Sequence, residues 1–142
     1  MMSEEITIRQ AEPGDAARVL EFIRGLAEYE NLSGEVVATE DDIRNSFFGS
    51  DPHAEAVFAC HDAEPIGLAV FCRRFSTFSY TVSLYLEDIF VLPEWRGHGV
   101  GRELMAYASR LAQERGDSRL EWEVLDWNEP AIKFYREMGA DR

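Results

Sequence analysis

The stretch from Val82 to Leu125 restricts the possible folds more than any other part of the chain. An apolar run, Val82 to Leu92, leads into Arg96-Gly97-His98-Gly99-Val100-Gly101. An amphipathic helical pattern, Gly99 to Arg115, follows with Val100, Leu104, Ala108 and Leu111 on one face, and then a second apolar run, Leu120 to Leu125. Two strands separated by a helix pair parallel, because the helix carries the chain back to the end where the first strand began. The glycine loop then lies where strand turns into helix, at the end of the sheet where ligands bind in such crossovers.

The rest of the chain supplies hairpins and helices. Ile6 and Ile8 alternate with Thr7 and Arg9 as a short strand. After Pro13-Gly14, Asp15 is placed to cap a helix whose Ala16, Val19, Leu20, Ile23, Leu26 and Ala27 share a face, ending near Tyr29-Glu30-Asn31. Thr39 and Asp42 have the spacing of a capping box for a second helix that presents Ile43 and Phe47 and stops near Gly49. Strands are predicted at Ala56 to Cys60 and Ile66 to Phe75, joined by a turn at Asp62-Ala63-Glu64-Pro65, and a last helix at Ala131 to Met138, ending at Gly139. The order β-α-α-β-β-β-α-β-α implies a single α/β (α+β) domain over residues 1–142, with a mixed, largely antiparallel sheet flanked by helices.

Charge narrows the partners. The net charge is −13, which argues against a basic nucleic-acid face and favours a cationic partner. Residues 1–64 carry 15 acids against 4 bases, whereas residues 65–142 carry 12 against 10. The first half suits a polycation or is simply a solvated acidic surface; the second can hold an anion. Cys60 and Cys72 lie on separate apolar stretches, and no Cys/His cluster has metal-ligand spacing, so no metal is expected. The N-terminus has acids where a signal peptide has basic residues, and no apolar run approaches the ~20 residues of a membrane span. A cytoplasmic protein with reduced thiols, away from membranes, is the expectation.

Three segments carry chemistry. Three glycines in five residues at a helix opening allow close backbone approach and offer unpaired N–H groups, a site for phosphate. A nucleotide P-loop is excluded by the lack of Gly-Lys-Ser/Thr, and a dinucleotide fingerprint fits poorly because Pro93-Glu94-Trp95 separates strand from loop and position 102 is Arg. Within the preceding strand stand two adjacent acids, Glu87 and Asp88. Neighbouring strand residues point to opposite faces, so at least one carboxylate is forced into a buried or cleft setting, where desolvation raises its pKa toward that of a general base. An ion pair or an exposed edge would also accommodate them. The third segment is Trp127-Asn128-Glu129-Pro130, opening the helix that bears Phe134 and Tyr135, which read alone as core aromatics.

Together these segments resemble the GNAT superfamily of acetyl-CoA-dependent N-acetyltransferases, whose Arg/Gln-x-x-Gly-x-Gly/Ala signature corresponds to Arg96 to Gly101. Leu26 to Glu30, Tyr85 to Val91 and Trp127 to Tyr135 are similar to the diamine (spermidine/spermine) acetyltransferase group, which includes thialysine acetyltransferases. The resemblance, running from Ile6 to Ala140, implies acetyl-CoA as co-substrate, a small cationic amine as acceptor, and direct attack in a ternary complex. It makes Tyr135 the acid that protonates the departing thiolate and Glu87 the base that takes the ammonium proton, directly or through water. It gives the cofactor Arg96, Gly97, His98, Gly99, Val100, Gly101 and Arg102 for its pyrophosphate, Ile89, Phe90 and Val91 for its arm, and Asn128, Glu129, Pro130 and Ala131 on the other side. Tyr29, Glu30, Glu87, Asp88, Glu121, Trp122 and Glu123 then line the amine site. The family's final strand has no counterpart after Gly139-Ala140, so an open sheet edge is expected, and with it a homodimer that covers it. A protein or peptide acceptor, or a non-catalytic acyl-CoA sensor, are the alternatives to the small-amine enzyme.

Overall fold

The computed structural model describes residues 5–117, 119–123, 128–137 and 139. Among these residues five strands form one sheet in the order β1 (Thr7–Gln10), β2 (Glu55–His61), β3 (Glu64–Ser76), β4 (Thr81–Val91) and β5 (Leu120–Trp122). The first four are antiparallel neighbours, and β5 runs parallel to β4 through the crossover helix α3 (Val100–Glu114). The sheet is therefore mixed and largely antiparallel, and no described helix is long and apolar enough to cross a membrane.

Helices cover both faces. On one side Val100, Leu104, Met105 and Ala108 of α3 bury against Val57, Ala69, Phe71, Leu84 and Leu86. On the other, Val19, Leu20 and Phe22 of α1 (Ala16–Tyr29) and Ile43 of α2 (Glu40–Phe48) bury against Phe58, Leu68, Val70 and Phe90. Phe58 and Phe71, neither with measurable exposure, anchor the two layers from opposite faces of the sheet. The expected capping box of α2 forms: the Asp42 amide donates to Thr39 Oγ1 at 3.1 Å and the Thr39 amide to Asp42 Oδ2 at 2.9 Å.

Three local expectations change. Asp15 does not cap α1, because its carboxylate is engaged by Arg9 at 2.8 Å and by the Glu12 amide at 2.7 Å, which close the preceding 3-10 turn. The β2–β3 connection contracts to Asp62-Ala63, both at positive φ (50° and 67°), the type of two-residue turn whose twist matches the strands. Pro65 consequently falls inside β3, next to a register shift that absorbs its missing N–H. The last helix, α4 (Glu129–Glu137), starts two residues early because Asn128 caps it, its Oδ1 accepting from the Ala131 amide at 3.3 Å. The outer half of the strand expected to reach Leu125, and Trp127, Met138 and Ala140, lie outside the described residues.

Candidate active site

The decisive local feature is a β-bulge. Val70 pairs with Asp88 and Phe71 with Leu86, so Glu87 is an extra residue in β4. Before it, Leu84 and Leu86 point toward α3; after it, Ile89 and Val91 do, and the even-numbered Phe90 faces α1. The bulge brings Asp88 onto the α1 face and leaves Glu87 exposed at the rim. Pairing of β4 with β5 ends at Leu86 and Trp122, among the described residues. Past that point the β5-side edge of β4 opens into a cleft of about 940 Å³ between the end of α1, the start of α3, and α4.

Most of the expected site residues line this cleft: Tyr29, Glu30, Glu87 to Val91, Arg96, Gly97, Gly99 to Arg102, Glu123, Asn128, Pro130, Ala131 and Tyr135. The desolvation expected at one of the two strand acids falls on Asp88, while Glu87, the acid that the family resemblance makes the base, is exposed. Burial foremost, then the negative charges of Glu87 and Glu30, push its carboxyl up from 3.8 to about 6. Burial likewise raises Glu30. Tyr135 is pushed up to about 12, by burial first and by Glu30 second. Its ring is braced by Trp122 at 5.1 Å and Phe134 at 5.4 Å between centroids.

The loop has the form of an anion cradle. Gly97 and Gly99 sit at φ +81° and +82°, conformations that strain any L side chain, and a Cβ on either would meet no atom, so the backbone there is open. Gly101 serves packing instead: a Cβ there would come within 3.3 Å of Phe134, which locks the opening of α3 against α4. The Leu92 amide is bonded to Ile66 in β3, so by alternation Ile89 and Val91 turn their backbone groups to the free edge and Phe90 turns its toward β3. The Val91 carbonyl indeed accepts from Arg96 Nε at 3.2 Å. These groups, with the α3 N-terminus, fit a long diphosphate-bearing cofactor that has an amide-containing arm.

Four expected residues stand elsewhere. Trp122 cannot share a face with Glu121 and Glu123; it packs under α3 and holds Tyr135 rather than lining the amine side. Glu121 faces a neighbouring pocket. His98, its ring tilted against Trp95 at 5.2 Å between centroids, and Glu129 are exposed and do not line the cleft. The sequence reading missed Leu26, Leu32 and Trp95 as cleft walls and missed how the mouth is bridged. The Arg96 guanidinium lies 4.7 Å from the Tyr29 ring centre, and Tyr29 Oη donates to Asn128 Oδ1 at 3.4 Å. Among the described residues no group of three His, Cys, Asp or Glu side chains is arranged to hold a metal ion.

A glycine-rich loop, a strand edge, a carboxyl and a phenol line one cleft. The family model described as the acetyltransferase (GNAT) family matches residues 21–140, spanning all of them. The chain belongs to the GNAT acetyltransferase family. A thialysine N-epsilon-acetyltransferase of Bos taurus is 38% identical to this acetyltransferase over 142 residues, covering 95% of this chain and 84% of its own. An L-ornithine acetyltransferase of Arabidopsis thaliana is 29% identical over 178 residues, covering 94% and 78%. An aminoglycoside acetyltransferase from an uncultured soil metagenomic sample matches with a TM-score of 0.81 at 15% identity, over 96% of this chain and 90% of that one, a likeness of fold alone.

Proposed function

We propose that this acetyltransferase moves an acetyl group from acetyl-CoA to a primary amine of a small cationic acceptor, a polyamine or a diamino acid such as thialysine or lysine, by direct attack while both are bound. The observation that carries the reading is the convergence of the glycine cradle, the raised Asp88 carboxyl and the buried Tyr135 phenol on one cleft. The names of the thialysine and ornithine relatives support the size and charge of the acceptor. When bound, acetyl-CoA supplies an activated thioester carbonyl.

The chain's own groups do the rest. Amides from Gly97 to Arg102 receive the diphosphate, helped by the positive end of α3, and the Ile89 and Val91 edge groups hold the arm in strand-like bonds. Tyr29, Glu30 and Glu123 line the acceptor side. A primary ammonium near pKa 10.4 must lose a proton before it can attack, at a cost of about 6 kcal/mol to a group at 6. An ordinary carboxylate would face about 3 kcal/mol more. Asp88, whose proton affinity is held high by burial first and by the charge of Glu87 second, is the acceptor of that proton, and Glu87 stands exposed at the rim beside it. Tyr135 keeps its O–H throughout the working pH range and donates it toward the departing sulfur.

Thiol release from acetyl-CoA across spermidine, putrescine, lysine, thialysine and a basic peptide tests the proposal. Release with a small amine is expected; release with the peptide alone, or with none, refutes it. Cys60 and Cys72, both free thiols, support a cytoplasmic setting. The edge position of β5 and the exposed Phe78 and Tyr80 support a homodimer, which a monomeric mass by light scattering at micromolar concentration rules out.

A further inference from the structure

Beside the catalytic cleft, on the same face of the sheet, lies a second pocket of about 600 Å³. Its walls include Arg74, Arg119 and Glu121, and hydroxyl-bearing Ser79, Thr81 and Ser83. The two sites are consecutive along the strands. Glu123 lines the cleft, and Glu121, two residues earlier on the same face of the chain, lines the pocket. Tyr85, paired with Cys72 on one side and Glu121 on the other, stands between them.

The arginines set the sign of this pocket. Arg74 Nη1 is 3.8 Å from Glu121 and Arg119 Nη1 is 3.6 Å from it, so two guanidinium groups share one carboxylate and the cluster keeps an excess of positive charge. Arg74 belongs opposite Ser83 in the ladder, yet its guanidinium lies 4.8 Å from the Tyr85 ring centre, leaning along β4 toward the cleft. Glu123 and Glu87 bear on the Tyr85 hydroxyl from the cleft side, and Arg74 bears on it from the other. Along this face the charges run from the negative Asp88, Glu87 and Glu123 to the positive Arg74 and Arg119. That sequence of signs matches an acceptor with an ammonium at one end and a carboxylate at the other.

The lengths agree. Tyr85 and Asp88 pair with Cys72 and Val70, two residues apart on β3, so with Glu87 bulged out between them they stand about 7 Å apart at the rise of a strand. Six bonds join the distal nitrogen of lysine to its carboxylate carbon, spanning ~7 Å, and Arg74, set two residues beyond Cys72 on β3 and leaning back over the Tyr85 ring, adds the room for the hydrogen bonds at the two ends. A plain polyamine of the same reach would set a second cation against Arg74, with repulsion in place of a salt bridge.

We propose that Arg74, backed by Arg119, receives the carboxylate of a diamino-acid acceptor and selects such a substrate over a polyamine. The inference rests on the small-amine reading of the cleft and names the end of the acceptor remote from the reacting nitrogen.

The test compares lysine with 1,5-diaminopentane, the same chain without the carboxylate, by steady-state kinetics and by calorimetric binding. The wild-type protein is expected to favour lysine. Arg74→Met should lower the lysine-to-diamine ratio of kcat/KM on the order of 10-fold, a modest value because Arg74 is half-exposed and solvent screens it. The change should come from opposite movements: KM for lysine rises and KM for the diamine falls. Arg74→Lys, which keeps the charge, should retain most of the ratio. Equal losses with both acceptors assign Arg74 a structural role and overturn the proposal, as does an unchanged ratio. If neither compound binds nor releases thiol, the small-amine reading itself falls, and this inference with it; if both do but the ratio ignores Arg74, only the inference falls.

Discussion

Asp88→Asn separates the chemistry of the cleft from the stability of the fold. The native Asp88 carboxyl stands at about 6 against 3.8 when unperturbed, chiefly because it is buried. Its charged form is therefore less welcome in the folded chain than in the unfolded one. Above pH 6 the folded protein carries the whole penalty, on the order of 3 kcal/mol at about 1.4 kcal/mol per pH unit. As the pH falls from 6 toward 4, the native carboxyl takes up a proton that the unfolded chain does not, and the penalty is released. Asn has nearly the same shape and no charge, so the variant should be more stable than wild type at pH 7 by a sizeable part of that figure, and the gap should close near pH 4. Urea denaturation of both proteins at pH 7.5, 6, 5 and 4 measures it. The difference between the two curves is the quantity of interest, since Glu30 and the overall −13 charge titrate in both. A variant less stable than wild type at pH 7.5, or a gap independent of pH, would refute the burial argument. Thiol release should meanwhile fall by two orders of magnitude or more, the usual worth of a positioned base.

Two further outcomes follow from the same site. Glu87→Gln removes one of the two negative charges that raise Asp88, so the acid limb of kcat/KM, centred near pH 6 in the wild type, should move to lower pH while remaining above the ordinary carboxylate range; a pH–rate profile reads the shift, and an unmoved limb excludes Asp88 as the titrating base. Tyr135→Phe keeps the ring between Trp122 and Phe134 but removes its O–H, so kcat should drop about 10²- to 10⁴-fold while the Kd for CoA holds, measured by stopped turnover and by calorimetry.

Much of this was visible in the sequence, wherever a single element decides the outcome. The Thr39/Asp42 capping box and the glycine cradle depend on residues within one or two turns of each other, and both form. What stayed hidden depends on a second element. Asp15 reads as a cap until Arg9, on a different element, takes its carboxylate. Trp122 reads as a site residue until the strand's alternation turns it toward α3, where it braces Tyr135 from behind. The pairing of Arg74 and Arg119 over Glu121 links β3 to the β5 stretch, which no motif connects. The two strand acids were conspicuous in the apolar run, but their division into a rim group and a buried one required the register with β3. An uninterrupted apolar stretch does not reveal a change of phase.

That change of phase has a consequence for how the chain tolerates length variation. Core strands ordinarily accept substitution more readily than deletion, because removing one residue moves every later side chain to the opposite face. In β4 the two segments are already out of step, and Glu87 is the residue that accommodates the offset. Deleting Glu87 would leave a regular ladder with perfect alternation. It would keep Asp88 on the α1 face and Ile89 and Val91 under α3, and would remove only the rim carboxylate and the local irregularity of the ladder. The extra residue is thus one that the packed layers do not need: it sets a second acid beside Asp88 at the rim without turning the apolar side chains of the strand away from α3.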